Sequence, residues 1–183
     1  MFIQTEETPN PATLKFIPGQ IVMPEGTADF RDVESAGRSP LARALFAVNG
    51  VNGVFLGSDF ITVTKQVDTD WFTLKPAVLA AIMDHFTSGL PVIDSSSDRA
   101  ADTSEDSEIV TQIKELLETR VRPAVAQDGG DIVFHGFNDG VVYLHMHGSC
   151  SGCPSSTATL KAGIENMLRY YIPEVLEVRA VAA

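Results

Sequence analysis

The stretch 141–156 reads VVYLHMHGSCSGCPSS, and it decides the fold of the second half of the chain. Its first seven residues alternate, so Val142, Leu144 and Met146 are predicted to share the buried face of a β-strand. Two cysteines follow this strand directly. Apolar residues then recur at helical spacing over about 155–170. The stretch therefore predicts a strand, a short cysteine-containing turn and a helix.

Cys150 and Cys153 are the two cysteines of the chain. A disulfide that closes so short a loop would remove little chain entropy, so a stabilising crosslink is a poor explanation for the pair. Without a secretion signal, a C-x-x-C pair is typical of metal ligation or thiol redox chemistry. Gly148 and Gly152 let backbone amides approach the sulfurs, and the start of the following helix favours thiolates. We therefore expect two exposed thiolates.

Two thiolates supply half of the four ligands that a tetrahedral metal site or a four-iron cluster requires. The other two could come from a second copy of the chain across a two-fold axis, or from His145 and His147. Residues two apart on a strand share a face, which places both histidines opposite Val142 on the solvent side. A solvated strand face is the favoured interpretation of the histidines, and a second subunit is the favoured source of ligands.

Further elements are predicted around this stretch in the second half. A helix over 109–117 has acidic residues in its first turn and should end or kink near Pro123. Segments 132–137 and 141–147 flank Asn-Asp-Gly and predict a hairpin. A last strand should cover 175–181.

The segment Asp128-Gly129-Gly130-Asp131 admits two interpretations. Its carboxylates could hold a cation. More often, such a group ends a helix and turns the chain, and we favour the turn.

The first half predicts an α+β domain. Extended segments are expected near 2–5 and 13–17, and Ser39 followed by proline is a good helix start. Segments 51–55 and 60–64 flank Gly-Ser-Asp and predict a hairpin. A second helix should cover about 73–88, with an apolar stripe formed by these residues: Val78, Leu79, Ile82, Met83 and Phe86.

A composition break at 94–105 separates the two halves. It has no large apolar residue and is rich in small, polar and acidic types, so it cannot bury enough surface to offset its ordering entropy. We therefore expect two small α/β-layered domains, 1–93 and 106–183, joined by a flexible acidic linker over 94–105.

The charge balance excludes several classes of partner. The chain has 24 acidic and 13 basic residues and a net charge of −11. Nonspecific binding to nucleic acid or to an anionic membrane needs a basic surface, so neither is expected. The longest strongly apolar stretch, around 77–83, is shorter than a membrane span.

Several motifs together resemble the NifU/Nfu family. In the second half these are Arg122-Pro123, the Asp128–Asp131 segment, and GSCSGCPSS at 148–156. The first half is similar to the Nfu N-terminal domain, and the matching stretches are MFIQTE at 1–6, TPNP at 8–11, SPLA at 39–42 and VFLGSDFITVTK at 54–65. The resemblance covers nearly the whole chain except the linker.

The resemblance implies a scaffold or carrier that is not an enzyme. Such a protein holds a 4Fe–4S cluster between the two subunits of a homodimer and delivers it to apo-proteins. Cys150 and Cys153 map onto the ligands of the cluster. The implied partners are apo iron–sulfur clients and an upstream assembly scaffold.

The expected location and two rival functions complete the sequence-based picture. Met1 begins the family motif directly, which favours a bacterial cytoplasm; the alternative is the mitochondrial matrix, if the protein is eukaryotic and processed. A thiol–disulfide oxidoreductase would use the same strand–CxxC–helix unit, with the first cysteine attacking a disulfide. A structural zinc site shared by two subunits would use the same thiolates.

Overall fold

The computed structural model describes residues 2–94, 107–150 and 154–181, and the chain divides into two compact units, 1–99 and 100–183. Each unit combines helices with its own sheet, which confirms the α+β class. The predicted linker lies outside the described residues except for Asp94, whose backbone N–H donates to Arg38 O at 2.9 Å. The linker and the domain limits 1–93 and 106–183 stay predictions.

The first unit contains an antiparallel five-stranded sheet in the order β1-β2-β5-β4-β3. Its strands are β1 (Gln4–Glu7), β2 (Thr13–Ile17), β3 (Ala28–Phe30), β4 (Val51–Leu56) and β5 (Ile61–Lys65). Strands β4 and β5 pair as a hairpin, as the sequence predicts. The core of this unit is formed by apolar side chains from the sheet and from two helices.

Those helices are α1 (Pro40–Phe46) and α2 (Trp71–Ser88). Helix α1 begins as predicted, because the Ser39 hydroxyl accepts a hydrogen bond from Ala42 N at 3.0 Å. Helix α2 begins earlier than predicted, because Asp70 caps it by accepting from Phe72 N at 3.0 Å.

The buried stripe of α2 differs from the predicted one. Val78 and Ile82 are fully buried as expected, but Met83 is 41% exposed. The stripe instead includes Leu74 and His85, because residues spaced by about one helical turn keep the same face toward the sheet. The prediction that Met83 belongs to the buried stripe is therefore wrong.

The second unit contains a three-stranded sheet in the order β6-β7-β8. Strand β6 (Gly130–Asn138) pairs antiparallel with β7 (Val141–Gly148), which pairs parallel with β8 (Glu177–Val181). The hairpin between β6 and β7 is confirmed. Asp139 and Gly140 take positive φ values of 49° and 79°, as a tight two-residue hairpin turn requires.

The helical segment before β6 is continuous across Pro123. Helix α3 (Glu108–Leu116) runs into one π-helical turn (Leu117–Val121), and α4 (Arg122–Gln127) follows. Proline is tolerated in the first turn of α4 because its missing N–H needs no partner there. The predicted irregularity therefore exists, but it precedes Pro123 as a π turn.

Helix α5 (Pro154–Tyr171) directly follows Cys153 and agrees with the predicted helix. The core of the second unit lies between the helices and one face of the sheet, and its fully buried members include Ile113, Ile132, Leu144 and Leu168. No helix in the described ranges combines the length and the apolar character that crossing a membrane requires.

His85 is a buried titratable group in the first unit. It is 4% exposed and lies edge-on to Phe86, with 5.3 Å between ring centroids. Its Nε2 atom has no hydrogen-bond partner among the described residues. Burial lowers the pKa of His85 below its ordinary value, against a smaller opposing effect of a hydrogen bond with the Leu90 backbone.

His85 should make the first unit less stable in acid. The unfolded chain takes up a proton near pH 6.5, whereas the folded chain resists it, so this contribution to stability is present above pH 6.5 and is lost as the pH falls toward 5. We expect His85→Leu to flatten the decline in the free energy of unfolding between pH 7 and pH 5. Denaturant unfolding monitored by Trp71, the single tryptophan of the chain, measures this free energy.

The exposed His135 of the second unit supplies the control. His135→Gln should leave the pH dependence reported by Trp71 unchanged. An H85L protein with the same acid-induced decline as the wild type would contradict the assignment.

Candidate metal centre at the end of strand β7

Strand β7 carries the chain to the first cysteine. Val142, Leu144 and Met146 are buried in the core while the residues between them are half-exposed, which confirms the predicted face. Gly148 then takes a φ of 61°, a conformation in which a side chain would be strained. This glycine turns the backbone so that Ser149 and Cys150 fold back over the start of β6.

Cys150 is buried, which corrects the expectation of two exposed thiolates. The residue is only 7% exposed and lies within the core that contains Met146. The cause is the close approach of β6, because a Cβ atom on Gly130 would overlap the Cys150 sulfur and lie 3.0 Å from Cys150 N. Only glycine leaves room for the thiol there.

Cys153 lies outside the described residues, so its exposure and its role as a ligand stay predictions. Helix α5 begins at the next residue, Pro154. The N-terminus of a helix carries a partial positive charge, which stabilises nearby anions such as thiolates. The position of Cys153 along the chain is therefore favourable for a ligand.

The turn at 128–131 supports the cysteine loop. Ser149 N donates to Gly129 O at 3.2 Å, and the Ser149 hydroxyl donates to Asp128 O. Asp128 follows the last residue of α4, and Gly129 has a φ of 78°. The segment thus ends a helix and turns the chain, which confirms the favoured interpretation.

An ion pair anchors this turn to the helix before it. The Arg122 guanidinium donates from Nε to one carboxylate oxygen of Asp131 and from Nη2 to the other, both at 2.9 Å. The Asp131 side chain is 4% exposed. Hydrogen bonding to Asp131 raises the pKa of Arg122, and a 2.6 Å bond to Glu118 acts in the same direction.

The pairing of Arg122 with Asp131 is not predicted by the sequence, although both residues belong to the motifs that resemble the family. They are nine residues apart, across a helix end and a turn, and no periodic spacing connects them. The signal that could have revealed the pair is Asp131 itself, because an acidic residue at the start of the core strand β6 needs a cationic partner if it is buried.

The histidines lie on the opposite face of the sheet. His145 and His147 are half-buried on the side away from Val142, as predicted. His135 of β6 also lies close to His145, a contact that the sequence does not predict. Within the part of the chain that the structure describes, no three His, Cys, Asp or Glu side chains converge where they could hold a metal ion.

The described geometry places the Cys150 thiol in a short loop. Hydrogen bonds from Ser149 connect this loop to the 128–131 turn, and the ion pair between Arg122 and Asp131 anchors that turn. Thiolate sulfur is a suitable ligand for zinc and for iron–sulfur clusters. Full coordination needs ligands from beyond the described residues of one chain.

Comparison with known proteins identifies both halves of the chain. Residues 3–89 match the family described as "Scaffold protein Nfu/NifU N terminal", and residues 113–179 match the "NifU-like domain". The chain is 55% identical over 183 residues to the human "NFU1 iron-sulfur cluster scaffold homolog, mitochondrial", a match that covers 99% of this chain and 72% of the human protein.

Two further relatives are similar over nearly the whole chain. "NifU-like protein 4, mitochondrial" of Arabidopsis thaliana is 56% identical over 181 residues, covering 96% of this chain and 64% of that protein. The NFU1 homolog of Drosophila sechellia is 56% identical over 185 residues, a match that covers 99% of this chain and 65% of that protein. The chain thus spans about two thirds of the length of these relatives.

A solved structure of a NifU-like protein from Saccharomyces cerevisiae is also similar to part of the chain. It is 25% identical, covers 53% of this chain and 87% of its own, and superimposes with a TM-score of 0.47.

The Arg122–Asp131 pair should contribute strongly to the stability of the second unit. Arg122→Met would leave the Asp131 carboxylate buried without its counter-charge, so we expect a loss of about 3 kcal/mol. Amide hydrogen exchange, resolved by mass spectrometry over 107–181, measures this loss without interference from the first unit.

Arg179→Met is the matched control. Arg179 pairs with Glu177 at 3.0 Å, but both side chains are exposed, and its loss should change exchange little. Equal effects of R122M and R179M would contradict an anchoring role for Arg122.

The close approach of Gly130 to Cys150 gives a second prediction for this site. Gly130→Ala should push the thiol out of the core, so that Cys150 reacts faster with iodoacetamide and the unit loses about 1–3 kcal/mol from overpacking. Mass spectrometry of the Cys150 peptide measures the rate.

Gly136→Ala is the control on the same strand, since a Cβ there meets nothing within 4 Å. It should leave the alkylation rate unchanged. If iodoacetamide modified Cys150 equally slowly in the G130A and G136A proteins, the packing of the Cys150 sulfur against Gly130 would not control its exposure.

Proposed function

The chain belongs to the Nfu/NifU family of iron–sulfur cluster scaffold proteins, and from this premise we propose that it binds an iron–sulfur cluster through Cys150 and Cys153 and passes it to apo-proteins. The observation that carries the proposal is the position of Cys150. It lies in a tightly held loop between the end of β7 and a helix that begins directly after Cys153.

The proposed cargo is a 4Fe–4S cluster shared by a homodimer. Such a cluster takes four thiolates, and this chain has two cysteines in total. A two-fold axis through the cluster would supply the same two cysteines from each subunit. The partial positive charge at the two α5 N-termini would offset the net negative charge of the bound cluster.

Loading requires a local change at Cys150. Its sulfur is buried against Gly130, whereas a cluster ligand must reach the surface that meets the second subunit. In the proposal, the loop moves to expose the sulfur, and the hydrogen bonds from Ser149 to Gly129 and Asp128 are among the contacts that would have to rearrange. Free and cluster-bound chains therefore differ at this loop in the proposal.

Transfer is ligand exchange, without turnover of a substrate. A thiolate of the receiving protein forms a bond to iron as the bond from a scaffold cysteine breaks, and no electron needs to move. Clusters held by two short loops at a subunit interface are accessible to incoming thiolates. The chain therefore acts as a carrier and not as an enzyme, between an upstream assembly scaffold and apo iron–sulfur clients.

The rival functions need the same cysteines. Burial of Cys150 does not separate an oxidoreductase from the carrier, because attack on a disulfide and ligation of a cluster both need an accessible thiolate. A structural zinc site would use the same ligands but would retain its metal rather than release it. Among the residues that the structure describes, no feature favours either alternative over the carrier.

The proposed cellular compartment depends on the organism from which the chain comes. The human, fly and Arabidopsis relatives are named as mitochondrial proteins, which supports the mitochondrial matrix for a eukaryotic source. For a bacterial source, the equivalent compartment is the cytoplasm.

Anaerobic reconstitution with iron and sulfide tests the carrier function. We expect a broad absorbance near about 400 nm, about four irons per dimer and a shift from monomer to dimer on size exclusion. Cys150→Ala and Cys153→Ala should each abolish all three, because each removes two of the four ligands of a symmetric site. Mixing the loaded protein with an apo-ferredoxin should move the cluster to the acceptor.

The rival functions give different results in the same experiment. A protein that reduces insulin disulfides and takes up no iron would be an oxidoreductase. Retention of zinc in the presence of iron and sulfide, with no transfer, would indicate a structural zinc site.

A further inference from the structure

The outer face of the second-unit sheet carries a pair of histidines that the carrier function does not use. His135 is the extra residue of a β-bulge, because Phe134 pairs with Leu144 and Gly136 pairs with Tyr143. A bulge redirects the side chain of its extra residue. Here it directs the His135 imidazole toward His145 on the neighbouring strand.

The two imidazoles are in direct contact. His145 Nε2 and His135 Nδ1 are 2.8 Å apart, and the ring planes are 79° from parallel with centroids 4.4 Å apart. One proton lies between these two nitrogens, and a metal ion could take its place. Zn–N bonds of about 2.0–2.1 Å in a tetrahedral site would place the nitrogens about 3.3 Å apart, so metal binding would require the two imidazoles to separate slightly.

We propose that His135 and His145 form a second metal site, for a borderline divalent cation of the Zn²⁺, Ni²⁺ or Cu²⁺ class. Neutral imidazole nitrogen is a preferred ligand for these ions, whereas Mg²⁺ and Ca²⁺ prefer oxygen. The net charge of −11 favours a cation on this chain over an anion. Water completes the coordination, since no third His, Cys, Asp or Glu side chain in the described ranges joins the pair as a metal ligand.

This site is separate from the cysteine site. Cys150 and Met146 belong to the core side of β7, whereas His145 projects from the opposite face. His147 lies on the same outer face, but its ring centroid is 6.3 Å from that of His145, farther than the 4.4 Å that separates His135 from His145. The pair is therefore the site, and His147 is a neighbour.

Zinc titration of the full chain tests the proposal. Cys150→Ser and Cys153→Ser are first introduced together, so that thiolates do not compete for the metal. Isothermal titration calorimetry should then show one Zn²⁺ bound per chain. Adding His135→Gln or His145→Gln to this background should weaken binding by about tenfold or more, because one of two protein ligands is lost.

His147→Gln, in the same background, is the matched control and should change the affinity by less than about twofold. Circular dichroism verifies that each variant keeps its fold, and side-chain ¹⁵N chemical shifts should change only for His135 and His145. Zinc binding that is insensitive to both pair variants, or lost equally with H147Q, would show adventitious binding and overturn the proposal.

The result is independent of the carrier function. With both cysteines intact, H135Q and H145Q should still accept an iron–sulfur cluster as the wild-type chain does. Failure of cluster loading in the wild type would therefore not affect the zinc result, and failure of the zinc site would not affect the carrier.

Discussion

The paired hydrogen bonds between Arg122 and Asp131 connect the helical layer of the second unit to the strand on which the cysteine loop rests. Asp131 is the second residue of β6 and Gly130 the first, so the ion pair fixes the place where the backbone passes beneath Cys150. A buried carboxylate is tolerated only with a matched cation. The geometry of the thiol therefore depends on a charge interaction between two residues that are nine positions apart in the chain.

Because side chains alternate between the two faces of strand β7, the strand separates the core that contains Cys150 from the histidine pair on the outer face. One face contributes Val142, Leu144 and Met146 to the core and leads to Cys150, while the other presents His145 beside the bulged His135. Side chains on opposite faces of one strand do not share a ligand. The proposed thiolate site, which follows the end of β7, and the proposed imidazole site therefore lie on opposite sides of this strand.

Local sequence signals predicted the hairpins, the capped start of α1 and the core face of β7 because each depends on residues within one element. The predictions that failed depended on packing between elements. Met83 was placed on the wrong edge of its stripe, since helix periodicity alone does not say which face meets the sheet. Cys150 was expected to be exposed, because its immediate neighbours are small and the covering strand is remote in sequence.

By itself, the sequence determined the α+β class, the order of the elements and the family, since spacing, turn residues and motifs are properties of consecutive residues. Tertiary structure decided which distant groups meet. The tertiary structure packs Gly130 against the Cys150 sulfur and pairs Asp131 with Arg122. It also brings His135, the extra residue of the β-bulge, into contact with His145. The reason is physical: strand register and helix-to-sheet packing are set by the whole core, so contacts between separate elements cannot be read from the spacing within any one of them.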